Sequence, residues 1–179
     1  MNLQTTLQND HFLLLPVNED DFYTLYQPAS DPAVWAQHPN KEQYREDVFR
    51  SVFFETAIQC KGAYKIIDKA TNACIGSSRY YDHDAAKNSI VIGYTFLAVN
   101  CWGKGINQAV KKIMLDHIFQ FVNEVHFHVG VTNTRSQIAI ERTGAVKIEE
   151  RKEPREGLPP KHYYVYSIHR DSGEQATKS

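Results

Sequence analysis

Gly103, Lys104 and Gly105 stand where the hydrophobic pattern of the chain changes period, and their types suit the binding of an anion. Before them, Ile90, Ile92, Tyr94 and Phe96 alternate with Val91, Gly93, Thr95 and Leu97, the pattern of a strand buried on both faces. After them, Ile106, Ala109 or Val110, Ile113 or Met114, and Phe121 recur at helical intervals, which places Lys111, Lys112, Asp116 and Gln120 on the solvent side. A helix start leaves about four backbone N–H groups without partners and carries roughly half a positive charge. Glycine there lets a ligand approach the backbone, so a phosphate-bearing cofactor is the expected ligand. The plainer alternative is that the two glycines only make a tight turn. Two familiar phosphate loops do not match. Gln108 stands where a dinucleotide fingerprint needs its third glycine. A Walker-type loop needs four residues between its glycines and Lys-Ser or Lys-Thr after the second, whereas Ile106 follows here.

His126 and His128 share one face of a strand and invite a metal reading, but no third ligand stands at a useful spacing. A hydrogen-bonded histidine face is the preferred reading, with no metal. Cys60, Cys74 and Cys101 are odd in number and widely spaced, which argues against a disulfide framework and for a reducing compartment.

Elements to position these groups are legible along the chain. His11–Val17 reads as a strand, followed by a helix capped by Asn18 and Asp21 with Phe22, Leu25 and Tyr26 inward. A second helix is predicted from Asn40, with Gln43 as capping partner and Tyr44, Val48, Val52 and Phe53 buried. Ala63–Asp68 and Cys74–Tyr81 read as strands joined by a turn over Lys69–Asn72, antiparallel to each other and to the central strand. Glu124–Val131, reached through a helical crossover, should lie parallel to the central strand. Asn133 caps a helix closed by Gly144, and His162–Ile168 is the last strand. The fold class is α/β, with a mostly antiparallel central sheet flanked by helices. Residues 1–170 are read as a single domain and 171–179 as a polar tail.

Length and composition agree with that reading. The 179 residues are 42% hydrophobic and 23% charged, with a formal net charge of -1. That balance suits one globular core and offers no field to draw nucleic acid or an anionic membrane. No apolar stretch reaches the ~18 residues of a membrane span, and a cytoplasmic location is expected.

The segments Ile92-Gly-Tyr-Thr-Phe-Leu97, Trp102-Gly-Lys-Gly-Ile-Asn107 and Asn133-Thr-Arg-Ser136, the last leading through Glu141 to Gly144, together resemble the Gcn5-related N-acetyltransferases (GNAT). Within them, the chain is similar to the branch that acetylates N-termini of ribosomal proteins, RimJ/RimL-like. The likeness runs from about Phe12 to Ile168. It departs at the first and last positions of the loop, Trp102 and Asn107, the first being usual in the branch. The resemblance implies a GNAT-like fold and acetyl transfer from acetyl-coenzyme A to a primary amine, with a protein N-terminus, an aminoglycoside or a polyamine as acceptors. Transfer of another acyl group and a non-catalytic coenzyme A-binding module are the alternatives.

The resemblance further implies that Phe96, Leu97, Ala98, Val99, Trp102, Gly103, Lys104, Gly105, Ile106, Asn107, Asn133 and Ser136 hold coenzyme A. A bulge is implied at Leu97–Val99, freeing N–H groups there, and the hydroxyl of Ser136 is implied as the acid for the departing thiolate. Trp35, Tyr80 and Tyr94 are expected at the acceptor, although ordinary core is an equal reading of Trp35. Where relatives carry a glutamate base, this chain has Val91, and His83, His126 and His128 are the candidate replacements. A monomer or homodimer is expected, with no direct nucleic-acid partner.

Overall fold

A computed structural model describes residues 1–170; the predicted tail, 171–179, lies outside the described residues. Eight strands form one sheet in the order β1-β2-β3-β4-β5-β6-β8-β7. They are β1 Leu7–Gln8, β2 Phe12–Pro16, β3 Ala63–Asp68, β4 Ala73–Asp84, β5 Ser89–Leu97, β6 Glu124–Gly130, β7 Val146–Arg155 and β8 Leu158–His169. Every neighbouring pair is antiparallel except β5 and β6. The parallel pair follows from its connection, since only a crossover through α4, Ile106–Ile118, returns the chain to run in the same direction.

Helices cover both faces. On one, Val110, Ile113, Met114 and Ile118 of α4 pack with Tyr64, Tyr80, Ile90, Val125 and Phe127, joined by Ile140 of α5, Thr134–Glu141. On the other lie α1 (Phe22–Ala29), α2 (Glu46–Val48) and α3 (Glu55–Cys60), with a π-helical segment, Phe49–Phe54, between the last two. Phe22, Leu25, Trp35, Phe49 and Phe53 meet Phe96 there in an aromatic core. The capping box at Asn18 is present as read: its side chain accepts from the Asp20 N–H at 2.9 Å, and Asp21 accepts from the Asn18 N–H.

Five expectations are corrected. The helix at Asn40 is a short 3-10 turn, Lys41–Tyr44, because Arg45 adopts an extended conformation and starts the next helix afresh. Gln43 is buried against His38 rather than capping, and Val52 and Phe121 are exposed. Lys111, assigned to solvent, is 2% exposed. It lies on the same line of the helix as Ile118, two turns on, so the face that packs on the sheet carries it inward.

Two irregularities in β5 shape the site. Its pairing with β6 ends at Val91 opposite His126, although both strands continue, to Leu97 and Gly130, so a wedge opens between them. Towards β4, Gly93 faces Arg79 and Phe96 faces Ser77, so Tyr94 and Thr95 bulge opposite Ser78 alone, with Tyr94 at φ 50°. The bulge is therefore earlier than Leu97–Val99, and the Ala98 N–H is not free, since it donates to the Ile75 carbonyl at 2.8 Å. Tyr94 is 49% exposed, so the strand is not buried on both faces throughout.

Candidate active site

The turn before α4 has the form of an open anion cradle. Gly103 and Gly105 take φ values of 71° and 73°, which other residues adopt only with strain, and a Cβ at either would meet nothing within 4 Å. Among the described residues no side chain caps α4, so its first N–H groups are left to a ligand or to water. Lys104 is exposed beside them, and Ile106 packs on the core. Asn107 turns inward, and its Oδ1 is buried without a hydrogen-bond partner. An anionic phosphate fits this turn, and coenzyme A carries its pyrophosphate as such a group.

The other residues expected at the cofactor divide. Trp102 is tied across the end of β5, its Nε1 donating to the Leu97 carbonyl at 3.0 Å, and the Arg135 guanidinium stacks on its ring at 3.8 Å. Arg135 belongs to α5, so this contact bridges the two arms of the wedge. Asn133 caps α5 by accepting from the Ser136 N–H at 3.2 Å, leaving Ser136 half-buried in the first turn with no hydrogen bond to its hydroxyl among the described residues. Val99 is half-buried and opens the 3-10 turn that follows β5. Phe96 is corrected as a side-chain ligand: its ring is buried among Trp35, Phe49 and Phe53, away from any opening.

Two of the three acceptor residues are also corrected. Trp35 is buried, with Nε1 donating to the Ala29 carbonyl at 2.7 Å, because its indole fills the space between α1 and Phe96. Tyr80 lies on the opposite face under α4, its hydroxyl donating to the Met114 carbonyl at 2.6 Å, since alternation along β4 sends it there. Tyr94 alone is accessible. Around it stand Tyr81, with ring centroids 5.1 Å apart, and His128, whose Nδ1 lies 3.4 Å from the Tyr81 hydroxyl.

The histidines separate in the same way. Burial, assisted by Lys161 and Arg151, lowers the His128 pKa to about 4, so the ring is neutral but weakly basic at neutral pH. His126 pairs with Glu124 at 2.8 Å beside the closed end of the wedge, and His83 is exposed near the far end of β4. Of these three, His128 is the one that meets Tyr81, the neighbour of Tyr94.

Sequence reasoning missed two buried cations on either side of the bulge. Arg79, 2% exposed, lies between the rings of Phe53 and Tyr94 and donates to the Phe53 carbonyl at 3.0 Å and to Thr56 Oγ1 at 3.1 Å. A lone arginine in the middle of a central strand, followed by Tyr80 and Tyr81, was its signal. Lys111 donates to Ser78 Oγ at 3.1 Å and to Thr95 Oγ1, and those two hydroxyls are 2.8 Å apart. Burial alone lowers its pKa to about 7. Its alignment with Ile118 was legible, whereas its partners on β4 and β5 were not.

Comparison with known proteins agrees with this geometry. The acetyltransferase (GNAT) domain model matches residues 11–146. A GCN5-related N-acetyltransferase from Brucella melitensis superposes with a TM-score of 0.80 at 15% identity, over 96% of this chain and 81% of that one. A candidate ribosomal-protein-serine acetyltransferase from Vibrio cholerae gives 0.72 at 13% identity, over 94% and 99%. The spermidine N-acetyltransferase of Vibrio cholerae, solved with coenzyme A and spermine, gives 0.69 at 15% identity, over 91% and 98%. No curated protein matches the chain in sequence. With the family model spanning most of its length, the chain belongs to the GNAT acetyltransferase family, and its activity is acetyl-coenzyme A-dependent acetylation of an amine.

Proposed function

We propose that coenzyme A is held with its pyrophosphate on the 103–107 turn and its pantetheine arm in the wedge between β5 and β6, and that the acceptor amine enters from the Tyr94 face. The observation that carries this reading is the coincidence of the uncapped start of α4 with strands that part after Val91 and His126. Acetyl-coenzyme A supplies the activated acyl carbon as a thioester. This chain's residues supply alignment and proton movement. Ser136, on the arm across the wedge, is the proton donor to the departing sulfur, and Asn133 holds its turn in place.

The acceptor face favours a monoamine over a polyamine. Burial keeps the Tyr81 phenol and the His128 ring uncharged at neutral pH, and Arg79 beneath Tyr94 would repel a polycation. A protein N-terminus fits this surface, as in the RimJ/RimL-like branch, acting in the cytoplasm as a monomer or homodimer.

The test is calorimetric titration of acetyl-coenzyme A into wild type and Gly105→Glu, followed by coenzyme A release with peptides bearing free N-termini and with spermidine. The variant should lose binding by a hundredfold or more, because a side chain and a negative charge both enter the cradle. Unchanged affinity would refute the placement, and faster turnover of spermidine than of peptides would refute the acceptor class.

A further inference from the structure

Lys111 is a buried amine that the reading above leaves without a task. It projects from α4 to the underside of the wedge, bonded to one of the strands that part there and aimed towards the other. Its Nζ donates to Thr95 Oγ1 on β5 and lies 5.9 Å from the centre of the Phe127 ring on β6. Pairing between these strands has already ended at Val91 and His126, so the amine sits beneath the gap. The groups that meet it among the described residues are uncharged: Ser78 from β4, Thr95 from β5 and, farther off, the Phe127 ring from β6. A lysine is seldom buried without a carboxylate, because dehydrating the ammonium costs several kcal/mol. Such a site favours the neutral amine, which has a lone pair to offer. Thr95 completes a path. It is only half-buried, and once the amine is neutral its hydroxyl can turn the O–H to the Nζ lone pair and keep an oxygen lone pair for a proton arriving from the wedge, with Ser78 Oγ 2.8 Å away.

We propose that Lys111 is the proton acceptor of acetyl transfer, receiving through the Thr95 hydroxyl the proton that the acceptor ammonium must lose, with Ser78 orienting that hydroxyl. This deepens the acetyl-transfer reading and rests on it. The acceptor ammonium passes one proton through Thr95 to Lys111, and its freed lone pair forms the N–C bond as the C–S bond breaks. The sulfur takes a proton from Ser136, which recovers one from the second N–H lost by the acceptor. Lys111 returns its proton to solvent once coenzyme A has left, so the balance is one amine acetylated, one thiol formed and one proton released. The role answers the absence of a carboxylate at Val91. It falls to Lys111 rather than His128 because a base working near neutral pH needs a pKa close to it.

The test compares kcat/KM between pH 5.5 and 9.5 in wild type, Lys111→Met, Lys111→Arg and Thr95→Val, using a peptide amine, with acetyl-coenzyme A affinity and melting temperature measured alongside. Wild type should show an acidic limb near pH 7. Both Lys111 variants should fall about a hundredfold in kcat/KM and lose that limb, arginine failing because it stays protonated, while cofactor affinity holds within about threefold. Thr95→Val, which leaves the lysine in place, should lower the rate at least tenfold. A Lys111→Met enzyme with wild-type rate and pH profile overturns the relay and leaves acetyl transfer intact. A wild type that binds acetyl-coenzyme A but turns over no amine overturns both.

Discussion

Arg79 and Lys111 sit on opposite faces of one bulge, both buried, both without a carboxylate, and they meet that condition in opposite ways. Arg79 carries its charge into the core of α1–α3, where it lies over two aromatic faces and donates to a carbonyl and a hydroxyl. A delocalised, weakly hydrated guanidinium tolerates such company and keeps its proton. The compact ammonium of Lys111 has two hydroxyls and a distant ring, too little to replace its hydration, and the proton leaves instead. The same burial thus makes one cation a structural tie and the other a base. The π-helical segment belongs to the first: it delivers the Phe53 carbonyl to Arg79, joining the helical wall to β4.

This contrast can be broken by substitution. The largest effect on stability should come from Arg79→Ala, which leaves the Phe53 carbonyl and Thr56 hydroxyl without a donor and removes the filling between two rings. A loss of about 3 kcal/mol or more in urea-induced unfolding is expected. Lys111→Met should cost less than about 1 kcal/mol at pH 7, since the chain volume is kept and a poorly satisfied amine is removed. A greater loss at Lys111 than at Arg79 would reverse the assignment of roles.

The pH dependence of stability sharpens the comparison. With a folded pKa of about 7 and an ordinary unfolded pKa of ~10.4, Lys111 binds fewer protons folded than unfolded across that interval. Stability should therefore rise with pH from about 7 to about 10, by up to ~1.4 kcal/mol per pH unit, and Lys111→Met should remove that rise. Unfolding curves in urea at pH 7, 8 and 9 would show it, and equal slopes in the two proteins would count against a neutral lysine. The smallest expected effect belongs to His128, lowered from 6.5 to about 4. The folded state again binds fewer protons, so stability should rise from pH 4 to pH 6.5 and His128→Gln should flatten that limb, as melting temperatures across that range would show.

Amino-acid order alone determined much of the frame. A short apolar run stopped by the Lys69–Asn72 turn marked β3 at its observed ends, and the glycines before Ile106 marked the start of α4, because turn chemistry and backbone freedom are properties of neighbouring residues. The capping box at Asn18 was legible for the same reason. Lys111 was half legible: its place on the line of Ile118 could be read, but not the bulge that brings Thr95 and Ser78 to its amine, since that depends on register between strands distant in sequence. Trp35 and Tyr80 carried no mark to tell an acceptor wall from a core, because an aromatic ring serves either, and only the face it meets decides. The wedge is tertiary as well. Nothing in the composition of β5 or β6 ends their pairing at Val91 and His126; the bulge towards β4 and the docking of α5 against Gly130 and Val131, through Gln137, turn the strands apart. Local chemistry chose the elements, and long-range register and packing chose which of their side chains meet.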